Sequence, residues 1–175
     1  MTILTSARLR FEPMAERHLA GLYAMNGDPE VMRYIGGRAE TIEETAAMIA
    51  RVQARWARRG YDWWSLIDAQ TEAVIGAAGL YHLGHDPANA HEIGWRLQRE
   101  RWGQGLAQEA ARTILQHAFT MLGAPVVCAI RHPDNLASRL VMERLGMRPL
   151  GLQTWQGEQV EVHELARADW SGAPG

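Results

Sequence analysis

The segment from Glu92 to Leu122 constrains the fold more than any other part of the sequence. Residues Glu92–Leu97 have the composition of a strand, two closely spaced glycines follow, and a long amphipathic helix is predicted over Leu106–Leu122. Apolar residues recur at helical spacing along one side of that helix, as packing on a core requires: Ala107, Ala110, Ala111, Ile114, Leu115, Ala118 and Leu122. A strand therefore passes through a tight glycine turn directly into a helix.

The glycine turn has the composition of an anion-binding site. Gly103 and Gly105 permit positive φ angles and a close approach of the backbone to a ligand. Several N–H groups can converge on one anion there, and the helix N-terminus adds partial positive charge. The alternative is a purely conformational turn, since glycines often precede helices. A P-loop is excluded because no Lys-Ser/Thr pair follows, and a dinucleotide fingerprint because the third glycine is missing.

The other elements predict an α/β (α+β) sandwich with a mixed sheet covered by helices. Short turns between three of the strands indicate an antiparallel meander. One domain is predicted over residues 1–170, followed by a frayed tail, 171–175. The predicted order is a strand at 8–11, helices at 16–25 and 41–59, strands at 62–68, 73–81 and 92–97, the long helix, a strand at 126–130, a helix at 135–145, and a terminal hairpin of 153–155 and 160–165.

Composition narrows the possible functions. The chain has 18 Lys and Arg against 20 Asp and Glu, and no basic block, which disfavours tight nucleic-acid binding. The single cysteine, Cys128, excludes an intramolecular disulfide, and the seven histidines lack a ligand spacing, so no metal site is expected. No apolar run approaches the ~20 residues of a membrane span, and no signal peptide is recognised. A cytoplasmic location is predicted.

Three stretches, in this order along the chain, resemble one known family. They are Asp28–Gly37 (DPEVMRYIGG), Trp102–Ala107 (WGQGLA) and Asn135–Met147 (NLASRLVMERLGM). Together they resemble the GNAT superfamily of N-acetyltransferases, and specifically its Rim-type subgroup of ribosomal-protein N-terminal acetyltransferases. Trp102 departs from the Gln or Arg of the general pattern but is similar to this subgroup. The resemblance covers about Arg8 to Leu165 and implies a mixed, mostly antiparallel sheet that is splayed between its fourth and fifth strands, with helices on both faces.

The resemblance also implies how acetyl-CoA binds as a co-substrate. The pantetheine arm pairs like an extra strand with the backbone of Trp95, Arg96 and Leu97. A backbone N–H near Trp95 faces the acetyl oxygen as an oxyanion donor. The diphosphate lies on the turn of Trp102, Gly103, Gln104, Gly105, Leu106 and Ala107.

Two polar residues at the start of the last core helix are candidates for contacting the pantetheine arm and the sulfur of CoA. The resemblance implies that the Asn135 amide reaches the pantetheine arm, and the alternative is an ordinary N-cap. Ser138, one turn further, is a candidate acid that donates to the leaving sulfur, or else bonds back to its own helix. Many family members carry a Tyr four residues later. That position is Met142 here, which shifts the acid role to Ser138 or water.

The general base has several candidates. The amine must lose a proton before it attacks, so a base within reach is expected. His91 is favoured by its titration near neutral pH, and Glu92 by the Glu-Ile-Gly-aromatic pattern of the subgroup. Strand alternation places the two side chains on opposite faces. Glu158 and Glu161 in the terminal hairpin are weaker candidates.

The resemblance implies that the acceptor is a primary amine, of a protein or peptide N-terminus or of a small molecule. Tyr34 and Trp155 lie where this family builds its acceptor pocket, and acidic Asp28 and Glu30 would suit a cationic acceptor. The alternative function is a CoA or acyl-CoA sensor without catalysis, which the Met142 departure and the lack of an obvious base motivate. The terminal hairpin also suggests a homodimer.

Overall fold

The structure is a computed structural model that describes residues 2–172. Of the predicted tail, residues 173–175 lie outside the described part. The helices are α1 (Leu19–Asn26), α2 (Pro29–Met32), α3 (Ile42–Arg59), α4 (Leu106–Thr120) and α5 (Leu136–Arg144). The strands are β1 (Leu4–Thr5), β2 (Leu9–Pro13), β3 (Trp63–Asp68), β4 (Val74–His82), β5 (His91–Leu97), β6 (Val126–Arg131), β7 (Arg148–Trp155) and β8 (Glu158–Ala166).

The eight strands form one open sheet in the order β1-β2-β3-β4-β5-β6-β8-β7. The pair β5–β6 is parallel, and the other six neighbouring pairs are antiparallel. The parallel pair arises because α4 connects β5 to β6 and brings the chain back in the same direction, as a crossover helix does. The predicted mixed, mostly antiparallel sheet is confirmed.

The sheet is splayed between β5 and β6, the fourth and fifth of the predicted strands. Pairing between them covers only His91 with Val127 and Glu92 with Cys128. On its other side β5 stays paired to β4 as far as Leu97. Within the described residues, the edge of β5 from Ile93 to Leu97 therefore has no strand paired to it on this side, and a cleft opens towards β6.

Helices cover both faces of the sheet. The Arg96 guanidinium lies 5.5 Å from the Trp63 ring and donates 3.0 Å to Oδ1 of Asn26 at the end of α1. Trp64 points to the opposite face, where its ring centroid is 6.0 Å from that of His117 in α4. Because successive strand side chains alternate between faces, α1 and α4 lie on opposite sides of the sheet, as the resemblance implied.

The long helix α3 begins and ends at the predicted residues. Thr41 Oγ1 accepts from the Glu44 N–H at 3.2 Å, and Glu44 Oε2 accepts from the Thr41 N–H at 2.8 Å, which is a capping box. Gly60 ends the helix with φ of 77°. Trp56 and Trp64 are buried in the core, and Trp63 packs against it.

The structure adds elements that the sequence pattern does not show. β1 has two residues and α2 has four, too short for a recognisable period. β7 begins at Arg148 rather than at 153, because a bulge between Pro149 and Gly151 interrupts its alternation. α4 ends at Thr120, so Leu122, predicted on the inner stripe, is 38% exposed. No helix within residues 2–172 has the length and hydropathy needed to cross a membrane.

Candidate active site

The turn before α4 has an open, left-handed backbone. Gly103 has φ of 70° and Gly105, the N-cap of α4, has φ of 75°. Within the described residues, no heavy atom lies within 4 Å of a Cβ built at Gly103, and no side chain caps the first turn of α4. The first N–H groups of a helix lack partners inside the helix. The turn therefore presents free amides at an unblocked surface, which suits a diphosphate.

Side chains hold this turn from both ends. Trp102 is 48% exposed and its Nε1 donates 2.9 Å to the Leu97 carbonyl, which ties the turn to the end of β5. The Gln104 carbonyl accepts from Nη1 of Arg8 at 2.9 Å. Arg8 also donates from Nε to Glu109 in the first turn of α4 at 2.7 Å. Sequence reasoning missed Arg8, because nothing local indicates that β2 begins beside α4.

The unpaired part of β5 lines the cleft, and the glycine turn lies at one end of that cleft. Trp95 and Arg96 are partly buried and Leu97 is 6% exposed. The Arg96 side chain is held on the α1 face by Asn26, so any contact of this residue within the cleft comes from its backbone. This arrangement leaves room for an extended ligand beside β5.

On the β6 side of the cleft, Asn135 is the N-cap of α5 and Ser138 lies in the first turn of that helix. Asn135 Oδ1 accepts from the Ser138 N–H at 3.1 Å, so the N-cap alternative is present in this structure. Both residues are partly buried. Met142 is 1% exposed and belongs to the core, so position 142 carries neither a hydroxyl nor a side chain directed at the cleft.

A cavity of about 660 Å³ lies on the α1 face where β5 and β6 part. It brings together the predicted residues Tyr34, Trp155, Glu92 and Glu158, which lie on four different segments of the chain. The remaining lining residues include side chains that the sequence did not single out, namely Arg33, Ile35, Tyr81, Leu83, His85, Ile130, His132, Gln156, Gln159 and Val160.

Glu92 is a buried carboxyl group at the wall of this cavity. It is 5% exposed, and burial raises its pKa to about 7. Tyr81 Oη donates to Glu92 Oε1 at 3.1 Å, which opposes part of that rise. A carboxyl group with this pKa exchanges a proton near neutral pH, as a general base requires.

Of the other base candidates, Glu158 lines the cavity but is exposed, whereas His91 and Glu161 lie outside it. The His91 ring points to the opposite face, where Nε2 is 2.9 Å from Tyr61 Oη and the ring is 4.1 Å from that of His82. Burial lowers the pKa of His91 to about 4, and His91 does not line the cavity. Glu161 is paired with buried Arg131. No cluster of three or more His, Cys, Asp or Glu side chains suited to a metal ion occurs within residues 2–172.

Known proteins share this sequence and architecture. Residues 8–148 match the acetyltransferase (GNAT) domain family. The uncharacterized protein YkkB of Bacillus subtilis is 31% identical over 147 residues, 83% of this chain and 85% of the relative. A GNAT-family acetyltransferase from Bacillus anthracis superposes with a TM-score of 0.82 at 21% identity, over 95% of this chain and 99% of that chain. RimL, a ribosomal L7/L12 alpha-N-protein acetyltransferase solved with coenzyme A, gives 0.75 at 19% identity, over 94% and 98%.

The open mixed sheet, parted between β5 and β6, gives this chain the fold of the GNAT acetyltransferases. This chain belongs to the GNAT acetyltransferase family. That family uses acetyl-CoA as the acetyl donor, and the open turn and unpaired β5 edge fit such a donor.

Proposed function

We propose that the protein transfers an acetyl group from acetyl-CoA to a primary amine by direct attack, without a covalent enzyme intermediate. The observation that carries this proposal is Glu92, a buried carboxyl group with a pKa raised to about 7, at the point where β5 parts from β6. One residue thus supplies a base within the cavity at the edge of the cofactor cleft.

The chain offers a place for each part of the donor. The amides from Trp102 to Ala107 bind the diphosphate, and the backbone of Trp95, Arg96 and Leu97 pairs with the pantetheine arm. A backbone N–H near Trp95 polarises the acetyl carbonyl. The Asn135 amide faces the same arm across the cleft. The unpaired β5 edge and the open Gly103–Gly105 turn support this placement.

In the reaction, Glu92 accepts a proton from the acceptor amine, directly or through one water. The amine nitrogen then forms a bond to the acetyl carbon, and the carbon–sulfur bond breaks. The nitrogen loses its second proton to water, and the departing sulfur takes a proton from water or from Ser138, which water then reprotonates. Tyr34 and Trp155 line the same cavity as Glu92 and contact the acceptor there.

The sensor alternative is less well supported. It depended on the absence of an acid at Met142 and of an obvious base. The raised pKa of Glu92 removes the second reason, since a buried carboxyl group that titrates near neutrality suits proton transfer.

Three finer assignments are also proposals. The Rim-type subgroup rests on the three stretches Asp28–Gly37, Trp102–Ala107 and Asn135–Met147. A homodimer formed by the terminal hairpin is supported by the outer strand β7, where Leu152 is 62% exposed. Sedimentation of Leu152→Arg beside the unmodified protein tests it, with a shift to monomer expected. A cytoplasmic location rests on the single cysteine.

The proposed reaction is tested by release of free CoA thiol. The protein is incubated with acetyl-CoA, a thiol reagent and a panel of amines that includes polyamines, amino acids, aminoglycosides and peptides with free N-termini. Thiol release above background, with an acetylated product of the expected mass, supports the function. The Ser138→Ala variant reports whether the hydroxyl assists departure of the sulfur. Absence of thiol release across the whole panel, with acetyl-CoA bound, contradicts it.

A further inference from the structure

The acceptor cavity is lined mainly by rings and aliphatic side chains. Tyr34 and His132 form a stacked pair with centroids 5.2 Å apart, and Tyr81 and His85 form a second pair at 4.9 Å. These rings come from separate segments, and Trp155 adds an indole from β7. The walls therefore offer aromatic surface on several sides.

The Trp155 indole is presented as an apolar surface. Its Nε1 donates to Gln153 Oε1 at 3.1 Å, so the polar edge already has a partner. Gly84 lies beside the ring, since a Cβ at that position would be in ordinary van der Waals contact with it at 3.8 Å. Leu83 and Val160 extend the apolar lining.

Charge in the cavity is sparse. The two lining carboxylates are Glu92, which the proposed reaction uses, and the exposed Glu158, while Arg33 adds a positive charge. Neither Asp28 nor Glu30 lines the cavity. Asp28 caps α2 and pairs with Arg99 at 3.3 Å, so it is not available for a cationic acceptor as the sequence suggested.

We infer that the acceptor is a monoamine with an uncharged aromatic or heteroaromatic body, and that a polycation is a poor acceptor. This inference rests on the proposed function. A polyamine or aminoglycoside needs a carboxylate for each additional ammonium, and the described lining leaves one exposed carboxylate, Glu158, together with one guanidinium, Arg33. A planar ring gains offset or edge-to-face contacts with the ring-lined walls. A volume of about 660 Å³ accommodates such a molecule.

The test compares 2-phenylethylamine, its saturated counterpart 2-cyclohexylethylamine, and spermidine at saturating acetyl-CoA. We expect kcat/KM for 2-phenylethylamine to exceed that for spermidine by about tenfold or more, and that for the cyclohexyl compound by about threefold or more. Preference for spermidine overturns the inference while leaving the acetyltransferase function intact. Equal values for the aromatic and saturated amines overturn it as well.

Substitutions of cavity residues test whether the preference for an aromatic amine arises in the cavity. Trp155→Leu and Tyr34→Leu are each expected to lower kcat/KM for 2-phenylethylamine by about tenfold, with the KM for acetyl-CoA unchanged. Tyr23→Leu, which removes a Tyr exposed on α1 outside the cavity, is the matched control. Equal effects of Tyr23→Leu and Tyr34→Leu overturn the assignment.

If no amine is acetylated, the proposed function fails and the inference is judged by binding alone. Calorimetry of the protein–CoA complex is then expected to show 2-phenylethylamine binding more tightly than spermidine. The opposite order, or no binding of the aromatic amine, overturns the inference.

Discussion

The phenolic oxygen of Tyr81 donates a hydrogen bond of 3.1 Å to Oε1 of Glu92, across the paired strands β4 and β5. Two opposing effects meet at this contact. Burial favours the neutral carboxyl group and raises the pKa of Glu92 to about 7, whereas the hydrogen bond favours the carboxylate and lowers it. Burial also raises the pKa of Tyr81 well above its ordinary value, so Tyr81 remains a donor.

The first prediction concerns Glu92 as the base. Glu92→Gln is expected to lower kcat/KM for the amine by about 100-fold or more, in the range of a lost general base. In the unmodified enzyme the rate rises with pH through about 7, because the carboxylate form is active. Initial rates of thiol release from pH 5.5 to 9 measure both effects. His91→Gln is the control, and loss of the limb near pH 7 in that variant instead would contradict the assignment.

The second prediction separates the effect of the Tyr81 hydrogen bond on the pKa of Glu92 from the effect of burial. Tyr81→Phe removes the group that lowers the pKa of Glu92, so that pKa rises further. The pH–rate profile is expected to move to higher pH, with a large loss of rate at pH 7 and a smaller one at pH 9. A merely structural defect would lower the rate by the same factor at every pH.

The third prediction is about stability. The pKa of Glu92 is higher in the folded protein than its ordinary value of 4.5, so the folded state holds the proton more tightly than the unfolded chain. The resulting stability is present below pH 4.5 and is lost as pH rises through 7, a loss of about 3 kcal/mol. Glu92→Gln is therefore expected to have the higher free energy of unfolding at pH 8.

Urea unfolding at pH 4, 6 and 8 checks this expectation. The difference between Glu92→Gln and the unmodified protein should shrink towards pH 4, where both side chains are neutral. An identical pH dependence of the two proteins would show that Glu92 titrates normally.

The fourth prediction concerns the glycine turn. Gly105→Ala and Gly60→Ala place a Cβ on backbones with φ of 75° and 77°, and each is expected to cost about 1–2 kcal/mol of stability. Gly105→Ala should also raise the KM for acetyl-CoA. The alanine backbone relaxes away from its strained positive φ, and this movement tilts the amides that bind the diphosphate. Gly60, at the end of α3, is matched in conformation but is not part of the turn that binds the diphosphate. Equal KM values for acetyl-CoA in the two variants would show that the turn does not contribute to cofactor binding.

The fifth prediction concerns Arg8, which joins Gln104 and Glu109. Arg8→Ala is expected to raise the KM for acetyl-CoA severalfold and leave kcat at saturating donor nearly unchanged. Its stability should change little, since half-exposed ion pairs contribute about 0–1 kcal/mol. Arg58→Ala on the exposed side of α3 is the control. A fall in kcat with an unchanged KM would refute the positioning role.

Much of the fold could be predicted from local patterns. The capping box at Thr41, the stop at Gly60 and the strand–turn–helix from Glu92 to Leu106 are each encoded within a few consecutive residues. Short elements were missed, because β1 and α2 contain too few residues for a period, and the bulge at Gly151 hides the start of β7.

What the sequence alone determined was the order of the main elements, the glycine turn and the family resemblance that implied a splayed sheet, since periodicity and backbone freedom are local properties. Tertiary structure decided which side chains share the site. Glu92 and His91 are adjacent in sequence, yet only Glu92 lines the cavity, because alternation sends them to opposite faces. The burial of Glu92, its hydrogen bond from Tyr81 and the contacts of Arg8 with Gln104 and Glu109 arise between different segments of the chain. Only tertiary packing brings those segments together.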